Sequence, residues 1–145
     1  MKRAVAMALI ASTLLAGLAN ASAPAAKAKT EEREAAVSAR SMDAPYLAVP
    51  VVRDGQLVNY LFVSIRIEIA NGVDLWRTRE RAHFLRDALV RVSHTANLGD
   101  PEDINALNEA RAIEVYRATA AEVLGQNAVA GVSVINSYSS RGSGI

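Results

Sequence analysis

Histidines and serines are the side chains of this sequence best suited to move a proton or attack a carbonyl, so the search for chemistry starts with them. The chain holds two histidines, His83 and His94, eleven residues apart. A helix would carry both on one face but about 16 Å apart, too far to share a metal ion. No cysteine occurs to complete a zinc set. Ser139 and Ser140 stand outside any G-x-S-x-G nucleophile context. Asp100, Glu102 and Asp103 resemble a fragment of a calcium loop, but the glycine and the distal glutamate of that motif are missing, and helix capping accounts for them. No glycine-rich phosphate loop occurs. These residues point away from an enzyme, and they assign no catalytic, metal-binding or cofactor-binding set.

Contact surfaces are the other way a small domain acts, and two candidates stand out. Arg77, Arg79, Arg81, Arg86 and Arg91 crowd one predicted helix, with Glu80 and Asp87 interleaved. They read either as a solvated face laced by local pairs, such as Asp87 with Arg91, or as a docking surface for an acidic partner, with Arg77, Arg81 and Arg91 as its candidates. Tyr60 and Phe62 lie on the nominally outer side of a predicted strand. They are core beneath a further layer or they are a binding patch, and pattern alone leaves both open.

The beginning of the chain bears on where such contacts occur. Lys2 and Arg3, an apolar stretch from Ala4 to Leu18, and Ala19-Asn20-Ala21 have the layout of an export signal cleaved before Ser22. As a helix the stretch spans about 24 Å, short of a hydrocarbon core of about 30 Å. The expectation is a periplasmic protein, with an inner-membrane anchor as the alternative. Without Lys2 and Arg3 the sixteen basic side chains fall to fourteen against fifteen acidic ones, so the net charge of +1 becomes −1. Nothing in that balance calls for nucleic acid or an anionic lipid. An exported domain without cysteine has only its core to hold it together.

The elements that must position these residues follow from periodicity. Residues 22–44 have Val37 and Met42 as their only large apolar side chains, and so read as a flexible tether with a transient helix over Glu31 to Ala39. The domain is expected over residues 45–138, and a loose tail over 139–145. Tyr46 to Val52 favours a strand. Asp54-Gly55 supplies a two-residue turn. Leu57, Leu61, Val63, Ile65, Ile67 and Ile69 then alternate along a second strand, interrupted by Asn59. A helix is predicted from Asp74 to Ser93 on Leu75, Ala82, Leu85, Leu89 and Val92, with Trp76, Phe84 and Ala88 widening its buried stripe. A second helix is predicted to start at Asp100-Pro101, to bury Ala106, Ala110, Ile113, Tyr116, Ala120, Val123 and Leu124, and to end at Gly125. Val129 to Tyr138 is the third strand. The order strand, strand, helix, helix, strand predicts an α+β fold: a sheet of about three strands, mainly antiparallel, covered on one face by a helical hairpin.

Tyr46-Leu47-Ala48-Val49-Pro50-Val51-Val52, then Asp54-Gly55, then the long strand from Leu57 to Ile69 resembles the opening of the periplasmic domain of FliL-like flagellar basal-body-associated proteins. Phe84-Leu85-Arg86-Asp87-Ala88-Leu89 resembles that family's first helix, and Val129 to Ile135 its terminal strand. The match runs from about Tyr46 to Tyr138. The resemblance implies a domain similar to that of stomatin-like membrane scaffolds and a non-enzymatic role in assembly: contact with the flagellar stator or motor, or another envelope assembly, often as a homo-oligomeric ring. It brings no catalytic residue and no cofactor. Typical members carry a cytoplasmic start and a membrane anchor, whereas here Met1 leads directly into the signal-like segment. The alternative is a small soluble ligand-binding or enzyme domain whose site is built by backbone geometry.

Overall fold

The computed structural model describes residues 30–33, 35 and 40–141. The predicted export segment lies outside these residues, as does most of the predicted tether. Residues 30–33 and 35 are helical and exposed, in keeping with a helix that has no apolar stripe to dock.

A three-stranded antiparallel meander forms the sheet, with β1 (Ser41–Arg53), β2 (Gln56–Ile69) and β3 (Val129–Ser139) side by side in that order. Asp54 and Gly55, at φ +52° and +75°, close the first hairpin with the paired left-handed residues that suit the strand twist. β2 lies in the middle, so Leu61, Val63, Ile65, Ile67 and Ile69 pack against neighbours from both sides and are buried. Each such side chain contributes about 1.5–3 kcal/mol of transfer free energy. Leu47, Val49 and Val51 extend this inner face across β1, and Val129, Val132 and Val134 across β3. Leu57 departs from expectation and is exposed beside the turn.

Three helices connect β2 to β3: α1 (Leu75–Glu80), α2 (Ala82–Thr95) and α3 (Glu109–Leu124). α2 lies over β1 and α3 over β3, so the helical hairpin covers the inner face. Leu85 and Leu89 of α2 meet Ala112, Tyr116 and Ala120 of α3 in the same core as the sheet residues. Tyr116 is fully buried and its hydroxyl lies 2.9 Å from Ser93 Oγ, which itself donates to the Leu89 carbonyl at 2.7 Å. With that proton committed, the tyrosine is the donor to the serine, and both buried hydroxyls are satisfied.

Four expectations are corrected. β1 begins at Ser41, inside the predicted tether. Arg40 donates to the carbonyls of Ala70 at 2.7 Å and Val73 at 3.1 Å, Asp43 pairs with Arg66 at 2.8 Å, and Ala44 is buried. The long helix is broken at Arg81, and Trp76 and Phe84 point outward, 73% and 60% exposed: at about 100° per residue each lies well away from the side of the helix that carries Leu85 and Leu89, so neither widens the buried stripe. Asp100-Pro101 opens a turn: Asp100 accepts from the amides of Glu102 at 2.8 Å and Asp103 at 3.0 Å, which holds its carboxyl below the usual range. Asn108 is the residue that caps α3, accepting from the Arg111 amide at 3.2 Å, so Ala106 precedes the helix and Ala112 takes the inner position expected of Ala110. Finally, the start of the predicted tail is tied down. Ser139 belongs to β3, and Ser140 donates its amide to the Tyr60 carbonyl at 2.8 Å and its hydroxyl to Asn59 at 2.9 Å.

Candidate functional site

Strand alternation sends every second side chain of β2 away from the helices, and the half of that outer face nearer the hairpin is aromatic. Phe62 stands opposite Ala48 on β1 and Tyr138 on β3, and Tyr60 stands opposite Pro50. The Phe62 and Tyr138 rings lie 5.6 Å apart between centroids. Tyr46 meets Tyr138 edge to face at 6.4 Å, within the range over which aromatic quadrupoles attract. Tyr46, Tyr138 and Tyr60 remain 65%, 45% and 36% exposed, and among the described residues no helix or strand covers them.

A local irregularity brings Tyr46 to this cluster. The β1–β2 register shifts between Ala44 and Leu47, and Tyr46 adopts φ +56°. A tyrosine in the left-handed region costs about 1–2 kcal/mol. The distortion is held from both sides: the Tyr46 amide donates to Ser64 Oγ at 3.3 Å, and Arg86 of α2 donates to the Pro45 carbonyl at 3.3 Å. Beyond the cluster the outer face turns polar with Ser64, Arg66, Asp43 and Ser133. Arg66 grips Asp43 through two 2.8 Å hydrogen bonds, and the bonded guanidinium keeps the Asp43 carboxyl below its usual range.

The other anticipated residues are scattered among separate local roles. Arg77 reaches back to Asp74 at 4.0 Å, Arg91 pairs with Asp87, and Arg81 donates to the Val123 carbonyl at 2.9 Å near the end of α3. The first two match the solvated reading of this helix, and the third ties α3 to the break between α1 and α2. His83 packs against its neighbour Phe84 with ring centroids 3.9 Å apart, while a His94 ring nitrogen bonds to the Val90 carbonyl at 2.8 Å. Among the described residues no group of three histidine, cysteine, aspartate or glutamate side chains is arranged to hold a metal ion. No helix among them is long and apolar enough to cross a membrane.

Sequence pattern identified Tyr60 and Phe62 as surface candidates and missed Tyr46 and Tyr138. Tyr138 carried a usable signal, since an antiparallel β2–β3 pair brings a residue near the end of β3 opposite one near the start of β2. Tyr46 carried none, because its placement depends on a bulge that only the tertiary context holds. No family model, curated protein or solved structure matches the chain.

Proposed function

We propose that this protein is a non-enzymatic scaffold or adaptor of the cell envelope that acts through protein–protein contacts, with the aromatic outer face of its sheet as the contact surface. The observation that carries the proposal is the uncovered cluster of Tyr46, Tyr60, Phe62 and Tyr138. Interfaces are enriched in such side chains, which combine large apolar area with few rotatable bonds and, in tyrosine, a polar tip. The strained backbone at Tyr46 supports the same reading, because strain persists where the surroundings enforce it and clusters where a side chain must be presented. Export to the periplasm and service at the flagellar motor are parts of this proposal drawn from the signal-like start and the FliL-like resemblance.

The ligand-binding alternative needs a cavity with converging polar groups. The space beneath α2 lined by Met42, Ala44, Ile67, Leu85 and Leu89 amounts to about 140 Å³. Ligand sites run to roughly 300–1,000 Å³; the space along α3 reaches that size, at about 450 Å³, but is an open groove and not an enclosed cavity. The charged neighbours of the space beneath α2, Asp43 and Arg86, are engaged by Arg66 and by the Pro45 carbonyl.

Crosslinking in cells, followed by affinity capture, tests the proposal. Phe62→Ser combined with Tyr138→Ser is expected to abolish partner capture while circular dichroism shows a folded domain. His83→Ala and His94→Ala are expected to leave capture and the biological role intact. Loss of that role in the histidine variants, with capture retained in the folded aromatic variant, would instead favour a catalytic site.

A further inference from the structure

The sheet has two edges, and they are built differently. β1 carries Pro45 and Pro50, the charged Asp43 and Arg53, and a left-handed residue at Tyr46. Prolines, charges and kinks of this kind obstruct the addition of another strand. β3 has no proline and no charged side chain along its eleven residues, and among the described residues it pairs only with β2. The amides and carbonyls on its free side are a template for a further strand.

Beside that edge runs the outward side of α3. Ala110, Ile113, Glu114, Arg117, Ala118 and Ala121 share one side of the helix, related by spacings of three and four, along an open groove of about 450 Å³ that reaches Val129 at the start of β3, with Ala121 buried at its floor. Glu114 and Arg117 are exposed, and neither forms an ion pair among the described residues. Laid antiparallel against itself, this face is complementary in charge and in size. Glu114 falls opposite Arg117 of the second copy, and Arg117 opposite Glu114 of the second copy. In the same alignment Ile113 falls opposite Ala118.

We propose that a second copy of this chain occupies this edge. The two copies are related by a two-fold axis perpendicular to the sheet. β3 pairs antiparallel with β3 of the second copy, joining two three-stranded sheets into one, while the two α3 helices lie antiparallel over the seam. Such an interface is closed, using the same surface on both copies. Because β3 is uncharged, self-pairing places no like charges opposite each other. The axis leaves both aromatic faces on the same side of the joined sheet, so the dimer presents two patches at a fixed spacing and gains avidity for a repeating partner.

Sedimentation equilibrium on the purified full chain tests this without any partner, so its result is separate from that of the adaptor proposal. The wild type is expected at twice the monomer mass. Glu114→Arg and Arg117→Glu are each expected to weaken association by at least about tenfold, since like charges then face each other across the axis. Combining the two restores the crossed pairs, and with them the dimer. Ser133→Lys, at an exposed position of β3, is expected to give a monomer that still melts cooperatively. A wild type that stays monomeric at every loading concentration, or a dimer indifferent to all of these variants, overturns the proposal.

Discussion

Tyr46 separates what the fold needs from what the surface does. Its left-handed backbone is a cost to stability, and its ring is largely outside the core. Asparagine tolerates that conformation far better than tyrosine. Tyr46→Asn is therefore expected to hold or raise the melting temperature while weakening partner capture, as read by a thermal melt and a pulldown on one preparation. A large fall in melting temperature would mean that the Tyr46 ring is a packing residue. Tyr116 is the opposite case. Burial pushes its phenol pKa above the ordinary value. The folded state thus keeps its proton where the unfolded chain loses it. The resulting stability is fully present below about pH 10 and is lost as pH rises toward the folded pKa. Tyr116→Phe should flatten the alkaline fall in melting temperature at a cost of about 1 kcal/mol near neutral pH. An alkaline limb unchanged in that variant would assign the effect to other groups.

At the scale of elements, β2 was legible because alternation over Leu61 to Ile69 admits a single reading, and its inner face came out as the pattern implies, while on the outer side Ser64 is buried where its hydroxyl accepts from the Tyr46 amide. Ile65→Asp places a charge without a partner at the centre of this strand and should cost several kcal/mol, enough to unfold a marginal domain. Persistence of a wild-type melt by circular dichroism would contradict the core described here. The helices were legible in number of buried stripes but not in boundaries. Asp100-Pro101 followed by acidic residues is as good a start for a capped turn as for a helix, and the choice falls to Asn108 because the intervening segment is pinned elsewhere. Gly99 bridges Leu107, and the Ile104 carbonyl accepts from buried Asn59 at 2.8 Å. The break at Arg81 was likewise hidden. Trp76 and Phe84 stand next to Leu75 and Leu85 in sequence, but a step of one residue turns about 100° round a helix and carries them out of the buried stripe.

For the molecule as a whole, the helical hairpin spends its apolar surface on one side of the sheet and leaves the other side to its own side chains. That division was predictable from the order of elements. Which half of the outer face is aromatic was not, because it depends on the register that sets Tyr138 beside Phe62 and on the bulge that delivers Tyr46. The arginines of α1 and α2 illustrate the converse, since a dense run of charge in sequence resolves into separate local pairs in space. The central claim is that this outer face meets a protein partner. A photoreactive residue placed in turn at Tyr60, Tyr138, Arg77, Arg91 and His94, with irradiation of intact cells, reads the contact position by position. The account predicts one discrete adduct from Tyr60 and Tyr138 and none of that mass from the three helix positions. Adducts that arise from the helix positions alone, with the aromatic face silent, would contradict it.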